Sequence, residues 1–395
     1  MKYDFDNVVD RRQTGSVKWD FVDEIYGEKD LLPMWVADMD FESPRPVVEA
    51  LVRRAQHGIY GYSRCMPAYF EASMEWIKRR HDWEIDREWI LFCPGLVPAV
   101  SMLVRTFARP GDKVIIQMPA YYPFMRAVEN NGLHVLNNPL RLQDGKYRMD
   151  FEDLGQKAKD KRARILILCS PHNPVGRVWT MEELVRLGEI CMEHGLLVIA
   201  DEVHSDLILN GFKHTPFGSL SVDLLNQSIT LSAPSKTFNL AGLHTSNVII
   251  ADPTKRREFE IQLLSNGISG PNAFGAAALE AAYRYGEDWL DQLLDYLAGN
   301  LQFLKAFISE RLPDVKMIEP EATYLVWLDF RELGLDKDAL KKLMQKQAKV
   351  ALDEGYIFGE AEGAGFERIN IACPRTTLQE GLERIETAVR NVTGR

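Results

Sequence analysis

The chain of 395 residues is 46% apolar and 26% charged, the composition of a folded protein with about two or three domains and a large core. Its net charge of −10 is spread along the chain without a lysine- or arginine-rich run, which excludes nucleic acid as a main partner. The acidic amino terminus and the absence of an apolar stretch of about eighteen residues predict neither a signal peptide nor a membrane span, and we expect a cytoplasmic protein.

Short apolar runs alternate with amphipathic segments between residues 90 and 250, which predicts an α/β fold with a mostly parallel seven-stranded sheet. One crossover helix is especially clear, because Thr180 and Glu183 form a capping box and Gly195 marks its end. The candidate strands are Trp89–Phe92, Lys113–Gln117, His134–Leu136, Arg164–Cys169, Leu196–Ala200, Ser228–Leu231 and Thr245–Ile250.

The pattern changes after Gly286 to a long amphipathic helix, with leucines and Trp289 on one stripe. The later elements are a strand at Thr323–Asp329, a helix near Lys337–Gln345, a strand around Arg368–Ala372 and a final helix from Thr377. We therefore predict a large domain over residues 46–286, a smaller α/β domain over 287–395, and an N-terminal segment, 1–45, that packs with the small domain and the active site.

Three predicted strands end in polar residues that are able to meet at one place. Asn173 follows the strand at 164–169, Asp201 follows the strand at 196–200, and Lys236 follows the strand at 228–231. In an open α/β sheet the carboxyl ends of the strands line the ligand crevice. A lysine amine, a carboxylate for a protonated ring nitrogen and an amide for a phenolic oxygen together indicate a pocket for pyridoxal phosphate (PLP).

Each of these residues has a simpler interpretation when taken singly. Asp201 suits a helix cap or a salt bridge at the end of a strand, and Asn173 lies between two prolines, where asparagine is common for backbone reasons. The functional interpretation depends on the three residues occurring together.

A phosphate site is predicted in the turn at Cys93–Ala99, between a strand and a helix. Free amides at a helix start point at an anion, and Gly95 lets the backbone approach it closely, although a plain turn explains the segment equally well. The hydroxyls of Ser232 and Ser235 are further candidate donors to the phosphate.

Two more residues are candidates for binding the cofactor ring and the substrate. Tyr121 follows a strand, and its ring is able to stack on the pyridine face, although core aromatic residues are commoner. Arg368 suits bidentate capture of an α-carboxylate, and the alternative is a surface ion pair with Glu367 or another acid. The five cysteines form no CxxC pair, so we expect buried thiols and no metal site.

These residues lie in motifs that resemble a known family. Across nearly its whole length the chain is similar to fold-type I PLP enzymes of the aminotransferase class I/II superfamily, and within it to the MalY/PatB group of cystathionine β-lyases, or cysteine-S-conjugate β-lyases. The motifs are LPMWVADMDF (32–41), GIYGY (58–62), CPGLVPAV (93–100), SPHNPVGRVW (170–179), DEVHSDL (201–207), SAPSKTFNLAGL (232–243), EATYLVWLD (321–329) and RINIACPR (368–375).

The resemblance implies a role for each candidate residue. Lys236 would carry the cofactor as a Schiff base, with Asp201 on the ring nitrogen, Asn173 on the phenolic oxygen and Tyr121 over the ring. The phosphate would be held by Gly95, Leu96, Val97 and Ser235. Arg368 would bind the substrate carboxylate, and the Ala37 loop would close over the substrate. Tyr62 would reach the phosphate of the partner subunit, which implies a homodimer with shared active sites.

Two positions depart from the aminotransferase pattern. His204 stands where aminotransferases usually carry a tyrosine that contacts the phenolic oxygen, and this agrees with the lyase group. His244 stands where they usually carry a phosphate-binding arginine, so one phosphate contact has no assigned residue.

The function that the resemblance implies is α,β-elimination from an L-cysteine thioether such as cystathionine, giving a thiol, pyruvate and ammonia. Lys236 would remove the Cα proton, and Tyr121 or Lys236 would help the sulfur to leave. An aminotransferase shares the early steps and is the alternative. A PLP-binding regulator without catalysis would normally carry an additional DNA-reading domain, and a nicotinamide dehydrogenase would need an early GxGxxG, which the sequence lacks.

Overall fold

The computed structural model describes residues 2–209 and 211–394, and its strands follow the apolar runs of the sequence. The strands are β1 (Leu32–Pro33), β2 (Ile90–Cys93), β3 (Lys113–Ile116), β4 (His134–Asn137), β5 (Arg141–Gln143), β6 (Lys146–Arg148), β7 (Ala163–Cys169), β8 (Leu197–Asp201), β9 (Ser228–Ser232), β10 (Ser246–Ile249), β11 (Lys316–Ile318), β12 (Leu325–Asp329), β13 (Val350–Ala351), β14 (Asp353–Glu354) and β15 (Phe366–Asn370).

Helices connect these strands and cover the sheets. They are α1 (Val17–Asp20), α2 (Val22–Tyr26), α3 (Arg45–Gln56), α4 (Pro67–His81), α5 (Leu96–Phe107), α6 (Pro123–Glu129), α7 (Phe151–Ala158), α8 (Met181–Glu193), α9 (Val222–Asn226), α10 (Pro234–Thr237), α11 (Pro253–Ser265), α12 (Ala273–Tyr285), α13 (Glu287–Arg311), α14 (Lys337–Lys342) and α15 (Arg375–Thr393). Within the described residues, no helix is long and apolar enough to cross a membrane.

The large sheet has seven strands in the order β2-β10-β9-β8-β7-β3-β4. All its pairings are parallel except those of β10, which runs antiparallel to both of its neighbours. The prediction of a mostly parallel seven-stranded sheet is therefore confirmed, and each predicted boundary lies within one residue of the observed one.

Both faces of this sheet are buried, because successive side chains of a strand point to opposite faces. In β7, Ile165 and Ile167 pack in one hydrophobic cluster, while Leu166 and Leu168 pack in the cluster on the other face. Helix α8 covers the second face and begins at the predicted capping box, where Thr180 and Glu183 each bond the other's backbone N–H. The β7-α8-β8 unit thereby brings two strand ends to the same edge.

The C-terminal part of the chain forms a separate antiparallel sheet, in the order β11-β12-β15-β14. The long helix α13 is confirmed as one continuous helix, and α15 begins at Arg375, directly after Pro374. The N-terminal segment joins this part, because β1 pairs in parallel with β13. The division into domains at residues 45 and 286 stays a prediction.

Candidate functional site

A cavity of about 260 Å³ lies at the carboxyl ends of the central strands of the large sheet. Its position is the ligand crevice expected for an open α/β sheet. Sequence-predicted residues make up much of its wall, namely Ala37, Gly95, Leu96, Val97, Tyr121, Asn173, Asp201, His204, Ser235 and Lys236.

Lys236 lies on α10, the single helical turn that follows β9. Its Nζ donates a hydrogen bond of 2.6 Å to the carbonyl oxygen of Ala37, which belongs to the N-terminal segment. Burial lowers the pKa of this amine to about 8, and the positive charge of Arg368 acts in the same direction. A larger share of neutral, nucleophilic amine is therefore present near neutral pH than for an ordinary lysine.

The N-terminal segment that carries Ala37 is held by two asparagines. Asn370 donates to the carbonyl oxygens of Val36 and Asp38 at 2.7 and 2.6 Å. Asn239, just after Lys236, donates to the carbonyl oxygens of Met39 and Phe41, both at 2.9 Å. Residues 36–41 are thus held by Asn370 at the end of β15 and by Asn239 just after α10.

Asp201 is the last residue of β8, and its side chain is buried. One carboxylate oxygen accepts the backbone N–H of Val203 at 3.1 Å, and no other hydrogen bond to the side chain occurs within the described residues. Burial raises the pKa of this carboxyl to about 6, and the nearby charge of Lys236 partly opposes that rise. A cation placed against Asp201 would restore its ionised state.

The start of α5 lines the same cavity and has the geometry of an anion site. Gly95 precedes the helix with φ of 116°, a conformation that L side chains rarely adopt, and no side chain caps the first turn. The free N–H groups of a helix start carry a partial positive charge. Ser235, His244 and Thr245 complete this part of the lining, and Thr245 is a residue that the sequence analysis did not single out.

Arg368 lies behind the cavity wall and is buried. Its Nη1 donates to Oδ1 of Asn173 at 2.8 Å, and its Nη2 donates to the carbonyl oxygen of Trp35 at 3.2 Å and to Oδ2 of Asp353. The alternative of a surface ion pair with Glu367 or another acid is right that an acid pairs with Arg368, but the acid is Asp353 and the pair is buried. Its Nε has no partner within the described residues, which leaves a buried donor for a carboxylate.

Two rings line the cavity around Asp201. Burial lowers the pKa of His204 to about 3, so the imidazole is neutral, and its Nδ1 has no hydrogen-bond partner within the described residues. Burial raises the pKa of Tyr121 well above the ordinary value of a phenol, so its hydroxyl keeps its proton.

Two predicted residues lie apart from the cavity wall. Ser232 ends β9, but its side chain is close to the hydroxyl of Tyr283 and the residue is absent from the described lining. Tyr62 is fully exposed and also lies outside the described lining. Asp353, the partner of Arg368, was missed because a single aspartate on a short strand carries no sequence signal for this contact.

The sheet, the buried amine beside a carboxylate and the open helix start define an α/β enzyme built to hold a phosphorylated aldehyde. The chain belongs to the aminotransferase class I and II family, whose family model matches residues 29–385.

Three similar proteins refine this assignment. The chain is 50% identical to the cystathionine β-lyase PatB of Bacillus subtilis, over 98% of this chain and 99% of PatB. It is 36% identical to the protein MalY of Escherichia coli, over 99% of this chain and 100% of MalY. The structure of cystalysin from Treponema denticola, which contains a pyridoxal 5'-phosphate cofactor, superimposes with a TM-score of 0.95 at 40% identity, covering 99% of this chain and 100% of cystalysin.

Proposed function

We propose that the protein is a PLP-dependent carbon–sulfur β-lyase acting on L-cystathionine or related L-cysteine thioethers. The reaction breaks the Cβ–S bond, and with one water it converts the thioether into a thiol, pyruvate and ammonia. The observation that carries the proposal is the partly buried Lys236 beside the buried Asp201, in a chain 50% identical to a cystathionine β-lyase.

The side chains present fit PLP. Lys236 offers an amine to the aldehyde, the under-bonded Asp201 offers a carboxylate to the ring nitrogen, and the uncapped start of α5 at Gly95 offers N–H groups to the phosphate. Bound PLP supplies an electron sink for negative charge that develops at the substrate Cα. The fit therefore rests on unsatisfied groups that line one cavity.

The surrounding residues bind the substrate and move protons. Arg368 and Asn173 would hold the α-carboxylate, since the buried Nε of Arg368 lacks a partner within the described residues. Lys236, with a pKa lowered to about 8 by burial, is able to take the Cα proton at neutral pH and to return it elsewhere. Tyr121 keeps its proton and lines the same cavity, which supports a role for it as proton donor to the departing sulfur.

We further propose that the protein is a cytoplasmic homodimer that serves methionine biosynthesis. The complete exposure of Tyr62, next to the exposed Ile59, Tyr60 and Met66, supports a covered surface at this segment. A tyrosine there would reach the phosphate of the neighbouring subunit.

An aminotransferase is the second candidate, because the family includes such enzymes and the early proton transfer is shared. The neutral His204 favours the lyase, since aminotransferases of this family usually carry a tyrosine there. The two candidates differ only in where the proton of Lys236 goes.

Product analysis with the purified holoenzyme and cystathionine tests the proposal. We expect pyruvate, ammonia and thiol in equal amounts without any added keto acid, and loss of turnover by about 10²–10⁴-fold in Lys236→Ala. Lys159→Ala, which removes an exposed lysine remote from the cavity, is the matched control. Strict dependence on a keto acid, or full turnover in Lys236→Ala, would overturn the proposal.

A further inference from the structure

A second cavity, of about 580 Å³, adjoins the candidate site. Ala37, Lys236, Ala241 and His244 line both cavities, so the two spaces meet at the reactive lysine. The outer wall of the second cavity is the N-terminal segment, through residues 9–17 and 36–42. Asn173, which contacts the carboxylate-binding Arg368, lines only the first cavity within the described residues.

The charged residues in this wall form a connected network. Arg11 donates to both carboxylate oxygens of Asp38, at 3.0 and 2.8 Å, and to Asp40 at 2.7 Å. Behind them, the buried Lys18 donates to Asp40 at 2.7 Å. Two cations therefore face two carboxylates, and this part of the wall is close to neutral.

Glu42 adds a carboxylate that this network does not neutralise. Its side chain lines the second cavity, is exposed and has no hydrogen bond or ion pair in the described part of the chain. The two cations of the network, Arg11 and Lys18, are already bonded to Asp38 and Asp40. The wall thus carries one excess negative charge beside a cavity of ligand size.

A thioether substrate has two halves, one on each side of the sulfur, and each half must fit into a cavity of the site. The cysteine half puts its carboxylate at Arg368 and its Cα near Lys236, which occupies the first cavity. The substituent on sulfur must then extend away from Arg368, and the second cavity is the adjoining space beside Lys236.

We propose, on the basis of the proposed elimination reaction, that the second cavity receives the leaving half of the substrate and that Glu42 selects leaving halves that carry an ammonium group. An ammonium gains Coulomb attraction from the unpaired carboxylate, an alkyl group gains none, and a carboxylate is repelled. Glu42 is therefore a specificity-determining residue for the second half of the thioether.

Three cysteine thioethers of nearly equal length test this assignment in the holoenzyme. They are S-aminoethyl-L-cysteine, S-propyl-L-cysteine and S-carboxymethyl-L-cysteine, with kcat/KM measured from pyruvate release. Because their thiols differ in acidity, and therefore in leaving ability, the comparison is made between variants and not between substrates.

Removing the charge in Glu42→Gln should lower kcat/KM for the aminoethyl substrate by about two- to fivefold, the range for one exposed ion pair. It should leave the propyl substrate unchanged and raise kcat/KM for the carboxymethyl substrate. Charge reversal in Glu42→Lys should increase both shifts. Glu49→Gln removes another exposed carboxylate, outside the cavity, and should change none of the three values.

The outcomes separate this inference from the reaction on which it rests. If the wild type releases pyruvate from all three thioethers and Glu42→Gln changes them equally or not at all, the role of Glu42 is refuted and the lyase stands. If the wild type releases pyruvate from cystathionine but from none of the three thioethers, the role of Glu42 is refuted and the lyase stands. If it releases no pyruvate from cystathionine either, the lyase proposal fails and the role of Glu42 fails with it.

Discussion

Two aspartates of one short segment, Asp201 and Asp206, are equally buried and have opposite environments. Asp206 accepts hydrogen bonds from Trp76 at 3.2 Å, His81 at 2.9 Å and Thr237 at 2.8 Å. Desolvation raises its pKa, but the bonds from His81 and Thr237 help to hold the pKa below the ordinary value. Asp201 accepts one backbone N–H, and burial raises its pKa to about 6. The carboxylate of Asp206 is therefore fully hydrogen-bonded within the fold, whereas that of Asp201 keeps acceptor capacity for a ligand.

The difference separates a structural role from a functional one. A buried carboxylate that is short of donors costs stability, and such carboxylates with shifted pKa values cluster at functional sites. Asp206 instead helps to hold α10 in position, because it accepts a hydrogen bond from Thr237, the residue directly after Lys236. Burial alone does not distinguish the two roles, because both side chains are buried.

The largest expected effect is on turnover in Asp201→Asn. The amide has the same shape but cannot hold a proton on the cofactor nitrogen, so we expect kcat to fall by about 10²–10⁴-fold, as for loss of a proton-transfer group. Pyruvate release from cystathionine measures it. If this variant kept the wild-type kcat, Asp201 would have no functional role.

Asp206→Asn should act on stability. It leaves His81, Trp76 or Thr237 without a full acceptor in a buried place, and we expect a loss of about 3–4 kcal/mol in the free energy of unfolding. Denaturant unfolding of the cofactor-free protein measures this change. A variant as stable as the wild type would show that the donors around Asp206 do not hold the fold.

The smallest effect has the opposite sign and appears in cofactor-free Asp201→Asn. The folded protein keeps the proton of Asp201 up to pH about 6, while the unfolded chain loses it near 3.8, so this contribution to stability is present below 3.8 and is lost as pH rises through 6. The variant is always neutral, and at pH 7.5 we expect it to be about 2–3 kcal/mol more stable than the cofactor-free wild type.

Unfolding at two pH values checks this last expectation. The difference between the two proteins should shrink as pH falls and disappear below 3.8, where Asp201 is protonated in both the folded and the unfolded wild type. An Asp201→Asn protein that is less stable than the wild type at pH 7.5 would contradict it.

The sheet was predictable because strands buried on both faces appear as continuous apolar runs, such as Ile165–Cys169. The small sheet was harder to predict from the sequence. Strand β15 begins two residues before the prediction, at Phe366, because Glu367 looks like a surface residue in the sequence but is buried in the fold. The helix near Lys337 also ends in a π-helical turn at Leu343–Gln347, which no local sequence pattern predicts.

Part of the candidate site was predictable because residues at strand ends must meet at one edge of a parallel sheet. The partners of those residues were not. Nothing near Asp206 in the sequence distinguishes it from Asp201, since its donors come from distant residues such as Trp76. The pairing of Arg368 with Asp353 likewise depends on the register between β14 and β15.

The asparagine clamps on residues 36–41 set a distance as well as a position. Asn370 follows Arg368 on the small sheet, and Asn239 lies just beyond α10, which carries Lys236, so a single short stretch of backbone tethers the strand of Arg368 to the turn of Lys236. Any movement that separates β15 from α10 must stretch this tether or break one of these hydrogen bonds. The separation of Arg368 and Lys236 is therefore set by a short length of backbone.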